Sequence, residues 1–130
     1  MSVWHGDLNK RKPSGGKKRA NRTKRKYEKG SFPIETTHGE TEKKLQRTRG
    51  GNTKTKAFSI NKVNISNTST GKTERTEITR VIKNPANVDY DRRGVITKGT
   101  IIETPLGTAK VTSRLGQDGI VNAIITRKET

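Results

Sequence analysis

The chain has no cysteine, which removes disulfides, cysteine-based zinc sites and thiol nucleophiles together. Histidine is nearly missing too: His5 and His38 are the only two, too few for a His-based metal cage. Aromatic residues make up 4% of the 130 and apolar residues 25%, where globular chains carry roughly 45–50% on a count that includes glycine. A chain so poor in apolar side chains has too few to bury a core along its whole length. No window approaches 18 apolar residues, so no membrane-spanning helix is expected. MSVWHGDLNK, at the start, has no apolar stretch of the kind secretion signals carry. The Asn-x-Ser/Thr triplets at Asn21, Asn64 and Asn67 therefore read as chance matches. Acid is scarce as well: 12 Asp and Glu stand against 29 Lys and Arg, a net charge of +17.

What is present is unevenly spread. Residues 1–54 carry 16 Lys and Arg, 5 Asp and Glu and 9 apolar residues; residues 55–130 carry 13, 7 and 24. The first part is basic and weakly folding, the second a small folded domain. The sequence Lys10 to Tyr27, KRKPSGGKKRANRTKRKY, holds ten Lys or Arg and no acid. Like charges this dense repel, so the free segment is expected to be extended or disordered until a counter-charge orders it. Nucleic-acid phosphate is the largest such counter-charge. A solvated basic tail or a localisation signal is the plainer alternative. An anionic membrane surface would also attract such an arm, but no lipidation site or amphipathic apolar stripe accompanies it.

Two Gly pairs flanked by cations stand out. In Ser14-Gly15-Gly16-Lys17 and Arg49-Gly50-Gly51-Asn52 the glycines let backbone N–H groups approach a phosphate closely. The candidate contacts of the arm are Lys10, Arg11, Lys12, Ser14, Gly15, Gly16, Lys17, Lys18, Arg19, Arg22, Lys24, Arg25, Lys26 and Tyr27. Those of the second cluster are Arg47, Arg49, Gly50, Gly51, Asn52, Lys54 and Lys56. Trp4, the only tryptophan, is either a plug packed on protein or a platform on which bases stack.

The pattern turns to β after Ala57, and residues 40–47 lean towards a strand as well. Phe58 and Ile60 are expected on one face, with Val63 and Ile65 out of phase after a bulge near Asn61-Lys62. Residues 64–73 read as a polar loop, and Thr76 to Ile82 as a strand broken at Asn84-Pro85. Val88 and Tyr90 are placed at the core's edge, and Val95-Ile96 in a short strand. Thr100 to Thr104 and Thr108 to Ser113 read as strands, the latter with Ala109 and Val111 inward. Gly116 to Gly119 reads as a hairpin loop, and Ile120 to Ile125 as a strand buried on both faces. The fold class expected is all-β: a small twisted β-barrel of about six short strands with a long, basic, extended N-terminal arm. The expected division is 1–42 for arm and anchor, 43–126 for the barrel and 127–130 for a frayed C-terminus.

Two apparent catalytic signals fail on physical grounds. SNTSTGKT, residues 66–73, ends like a phosphate-binding loop, but Ser66 stands where that motif needs glycine, and a strand rather than a helix follows. Asp89 and Asp91 lie beside Arg92 and Arg93 and read as a structural ion-pair cluster. No enzyme, cofactor, metal or small-molecule substrate is expected, and no homo-oligomer.

Pro13-Ser14-Gly15-Gly16-Lys17, Arg22-Thr23-Lys24-Arg25-Lys26-Tyr27-Glu28-Lys29-Gly30 and Arg47-Thr48-Arg49-Gly50-Gly51-Asn52 together resemble the archaeal and eukaryotic family of small ribosomal subunit protein eight of the "e" type. Gly99 to Thr104, Leu106 to Ala109 and Gly116 to Gly119 are similar to its archaeal branch. The likeness covers nearly the whole chain. It departs at Lys29, where the family usually has an apolar residue. The resemblance implies a cytoplasmic component of the small ribosomal subunit, with a β-barrel body and an extended basic arm. It implies small-subunit rRNA and neighbouring ribosomal proteins as partners, the candidate residues above then being RNA contacts. A chromatin-like DNA-binding protein remains the alternative that charge alone allows.

Overall fold

The computed structural model describes residues 2–127, and Lys128, Glu129 and Thr130, expected to fray, lie outside them. The chain divides between Pro33 and Ile34 into two compact units. In the first, Val3–Trp4 (β1) pairs antiparallel with Lys29–Gly30 (β2), Trp4 standing opposite Lys29. Single 3-10 turns form at Asp7–Asn9 and Lys26–Glu28. Between them, the amide of Lys12 donates to Gly16 O at 3.0 Å and that of Gly15 to Lys12 O at 2.9 Å, folding the Pro13–Gly16 stretch into a turn. The Lys10–Tyr27 run is thus turned at several points rather than continuously extended. Gly6 leaves the space that the Trp4 indole occupies: a Cβ there would lie 2.4 Å from Nε1.

Among its described residues the second unit contains nine strands, two short α-helical turns and a 3-10 turn at Arg49–Gly51. Thr37–His38 (β3), Glu42–Arg47 (β4) and Thr53–Ile60 (β5) come first. Lys62–Asn67 (β6), Lys72–Glu77 (β7) and Arg80–Lys83 (β8) follow. After the turn Val88–Arg92 (α1) come Ile101–Thr104 (β9) and Gly107–Val111 (β10), then Leu115–Asp118 (α2) and Asn122–Arg127 (β11). Six strands make one sheet in the order β7-β6-β11-β10-β9-β8, and three make another in the order β3-β5-β4.

The large sheet is curled but is not the closed barrel expected, because no ladder joins its edges β7 and β8. Its five inter-strand steps would set those edges about 24 Å apart if flat. Yet only Ile78 and Thr79 link them in sequence, and three Cα steps reach about 11 Å. The edges therefore approach at that corner. Ile78 N–H donates to Asn61 O at 2.8 Å, and Thr79 N–H to Glu103 O at 2.9 Å, so adjacent residues tie β7's side to β9's. The stretch read as one strand from Thr76 to Ile82 is two strands on opposite edges. The three-stranded sheet contributes Ala57 and Ile60 to the same core as Val63, Ile65, Ile102, Ala109, Val111 and Val121.

Several local expectations change for identifiable reasons. The ladder slips where Glu42 faces Ser59 but Lys43 faces Ala57. That bulge puts Ala57 and Ile60 inside and leaves Phe58 40% exposed. Residues 64–73 are not a loop: β6 and β7 pair through Asn67↔Lys72, the outward residues being polar. Val88 lies at the first position of a helical turn capped by Asn87 Oδ1, which accepts from Asp89 N at 2.9 Å, and so faces solvent. Leu115–Asp118 is helical, ended by Gly119 at φ 66°, where a hairpin loop was expected. The last strand is one-sided, with Val121 and Ala123 buried and Ile120 and Ile124 exposed. Its ladder runs on to Arg127, the first residue of the stretch expected to fray. The inward placement of Ala109 and Val111 agrees with the alternation.

Candidate nucleic-acid interface

In the first unit, Trp4, Leu8, Asp7, Lys12, Lys17, Lys18 and Arg19 line an open groove of about 760 Å3. The antiparallel pairing of β1 with β2 holds Trp4, and Lys24 sits over it with Nζ 5.9 Å from the ring centroid. The same ammonium donates to Ser2 O at 3.0 Å. Cation and ring attract through the ring quadrupole, and more strongly as water leaves. The indole Nε1 is buried and has no acceptor among the described residues. A buried donor without a partner is costly, so this one is suited to an acceptor brought from outside.

The cations of this unit divide into two groups. Arg22 grips Glu28 with both nitrogens, Nη1 to Oε2 at 2.7 Å and Nη2 to Oε1 at 2.5 Å, and Glu28 Oε2 also accepts from Arg25 N–H at 2.9 Å. Those bonds to the charged form, the Arg22 one foremost, hold the Glu28 carboxyl down at about 2 and raise Arg22. Arg11 Nη1 donates to Gly15 O at 2.9 Å, and Lys10 pairs with Asp7 at 3.3 Å. By contrast Lys12, Lys17, Lys18, Arg19, Arg25 and Lys26 make no ion pair among the described residues. Gly15 adopts φ 82°, which an L side chain rarely reaches, beside exposed Ser14 and Gly16. Tyr27 is 61% exposed, and Lys29 also faces solvent.

The second cluster tops the β4–β5 hairpin. Thr48 N–H donates to Asn52 O at 2.6 Å, and Asn52 Nδ2 to Arg49 O at 3.4 Å. Gly50 and Gly51 both hold positive φ, 78° and 75°, so the turn depends on the glycine pair. The register places Arg47 opposite Thr53, Gln46 opposite Lys54 and Lys44 opposite Lys56. Lys44 and Lys56 are like charges directly across a ladder, which repel unless an anion lies over them. The sequence reading named Lys54 and Lys56 but missed Lys44. The sequence carried no clear signal for Lys44, whose place opposite Lys56 follows from the register. The structure brings each cluster together within its own unit.

Of the two aspartates expected in an ion-pair cluster, only Asp89 makes ion pairs among the described residues. Asp89 pairs with Arg92 at 2.8 Å and Arg93 at 2.7 Å, while Asp91 accepts from Asn84 N at 2.7 Å. Arg93 also holds Glu35 by two nitrogens, one at 2.9 Å, which lowers the Glu35 carboxyl and raises the guanidinium. The residues that looked like a phosphate-binding loop form a β-hairpin with no helix behind it.

Taken together, the β domain joins cations that make no ion pair among its described residues to a hairpin turn built on a glycine pair. The family model described as "Ribosomal protein S8e" matches residues 5–126. A protein named small ribosomal subunit protein eS8 from Methanobrevibacter smithii is 51% identical over 115 residues, 88% of this chain and 92% of the relative. Its namesake from Methanosarcina barkeri is 48% identical over 122 residues, covering 94% and 97%. That from Sulfolobus acidocaldarius is 45% identical over 129 residues, covering 98% and 100%. The chain belongs to the ribosomal protein S8e family, whose members are ribosomal structural proteins rather than enzymes.

Proposed function

We propose that this protein is a structural constituent of the small ribosomal subunit that binds and stabilises its rRNA. Lys12, Lys17, Lys18 and Arg19, unpaired around the Trp4 groove, are the observation that carries this reading. They neutralise phosphates of rRNA segments that would otherwise repel. On RNA the first unit opens into an arm running between helices, and the Trp4 ring and indole N–H find a base or sugar partner. The β domain is the platform, and its Gly50-Gly51 turn, with Arg47, Arg49, Asn52, Lys54 and Lys56, forms a second contact. Its curled sheet acts as a barrel-like body. Recognition is by shape and backbone, as the cation-rich, aromatic-poor composition favours.

The test is competition at matched salt between folded small-subunit rRNA and duplex DNA. Preference for the rRNA, with co-sedimentation of the tagged protein on the small subunit through a moderate salt wash, is the expected outcome. Equal affinity for both would favour the chromatin-like alternative.

A further inference from the structure

A separate cleft of about 200 Å3 opens in the second unit, between β4, the β6–β7 hairpin and the residues that precede β11. Ile60 and Val121, both buried, form its floor, and the exposed side of Ile120 forms a wall. Lys43, Lys62 and Arg75 stand around it, none of them in either Gly-pair cluster. Asn64 faces Arg75 across the ladder, and Lys62 lies two residues earlier on the same side of β6. Glu77 lies opposite Lys62. Even so, among the described residues none of the three cations makes an ion pair, although Arg80, Arg92 and Arg93 in the same unit do.

Besides the cations, the polar side chains inside offer free acceptors. Asn64 Nδ2 donates to Asn122 Oδ1 at 3.0 Å, which leaves the Asn64 carbonyl oxygen for a ligand. Thr41 Oγ1 donates its proton to Asn61 Oδ1 at 3.0 Å and keeps its lone pairs. Acceptors above an apolar floor suit the edge and face of a base, and cations at the rim suit the phosphates beside it. The volume falls below the roughly 300–1,000 Å3 of sites for drug-sized ligands, so it fits one ring system rather than a whole cofactor. From this we infer that the cleft receives one unstacked base of the bound RNA, with Lys43, Lys62 and Arg75 holding the flanking phosphates. The inference rests on the RNA-binding reading and adds to it a place where a single nucleotide is held.

The experiment uses the full chain and an RNA hairpin carrying one bulged 4-thiouridine, with a fully paired hairpin as control. Ultraviolet cross-linking followed by peptide mass spectrometry should place adducts within residues 60–64 or 120–122. Seating one base should favour the bulged hairpin by about tenfold or more. The Lys62→Ala/Arg75→Ala variant should lose that preference while retaining its circular dichroism, its affinity falling further for the bulged hairpin than for the paired one. Adducts confined to residues 2–33, with equal affinity for both hairpins, would overturn the cleft and leave the RNA-binding reading standing. Failure to bind either hairpin would overturn both. A poly-glutamate peptide that displaced the bulged hairpin only in the unsubstituted chain, and bound it more tightly, would overturn the choice of ligand.

Discussion

The two units of this chain are stabilised in different ways. In residues 34–127, isoleucines and valines from both sheets meet in one core, and Ile65, Ile96 and Ile102 are almost wholly enclosed. In residues 2–33 no described residue is buried; turns, a two-residue strand pair and the Arg22–Glu28 grip give the unit its form. Burial supplies roughly 25 cal/mol per Å2 of apolar surface, a source the first unit nearly lacks. The difference teaches that net charge and stability are separable along one small chain. One part has a buried core, and the other carries most of its cations without an ion pair among the described residues.

The strongest way to break this comparison is to remove the first unit. A chain of residues 34–130 should keep its β circular dichroism and unfold cooperatively. Its rRNA affinity should fall by about 10²-fold or more at 0.1 M salt, since most phosphate contacts are gone. Ile102→Ala comes next: it should destabilise the second unit by about 2–5 kcal/mol in urea unfolding, with little effect on RNA affinity while the chain stays folded. Ile102 lies at 0% exposure on β9, paired on both sides by β8 and β10, where collapse around the lost atoms is hard.

Glu28→Gln sharpens the contrast from the other side. It releases Arg22, so the salt dependence of RNA binding should steepen by about 0.7–0.9 in slope while the urea midpoint stays put. Acid should do the same. The Glu28 carboxyl is held at about 2 against an ordinary 4.5, so the grip is complete above that ordinary value and is lost as pH falls towards about 2. The Glu28 side-chain carboxyl resonance, followed by nuclear magnetic resonance, checks this directly. The smallest effect is expected at Val88, 87% exposed: Val88→Ser should change stability by less than about 0.5 kcal/mol.

How much could be read beforehand depended on where burial and local pattern agreed. Thr100–Thr104 and Thr108–Ser113 alternate cleanly, and Pro105-Leu106 turns between them, so β9 and β10 emerged correctly. Phe58 misled because a bulge, set by register with β4, reverses its face. The β6–β7 hairpin hid because its outward residues within 64–73 are Asn64, Ser66 and Thr73, with no apolar period in β7 to mark the partner strand. The basic clusters were plain as composition. The division of arm cations into paired and unpaired was not, since the Arg22–Glu28 grip spans a turn that charge counting does not reveal. Nor was the Lys43–Lys62–Arg75 cleft, whose parts come from three strands.

The most direct measurement is a pair of salt titrations of small-subunit rRNA binding, one on the full chain and one on residues 34–130. If the first unit neutralises about six to ten phosphates, the full chain should show a log–log slope of about −4 to −9, and the truncated chain a much flatter one. Equal slopes, with the β domain folded in both, would show that the grip on RNA does not lie in the basic first unit.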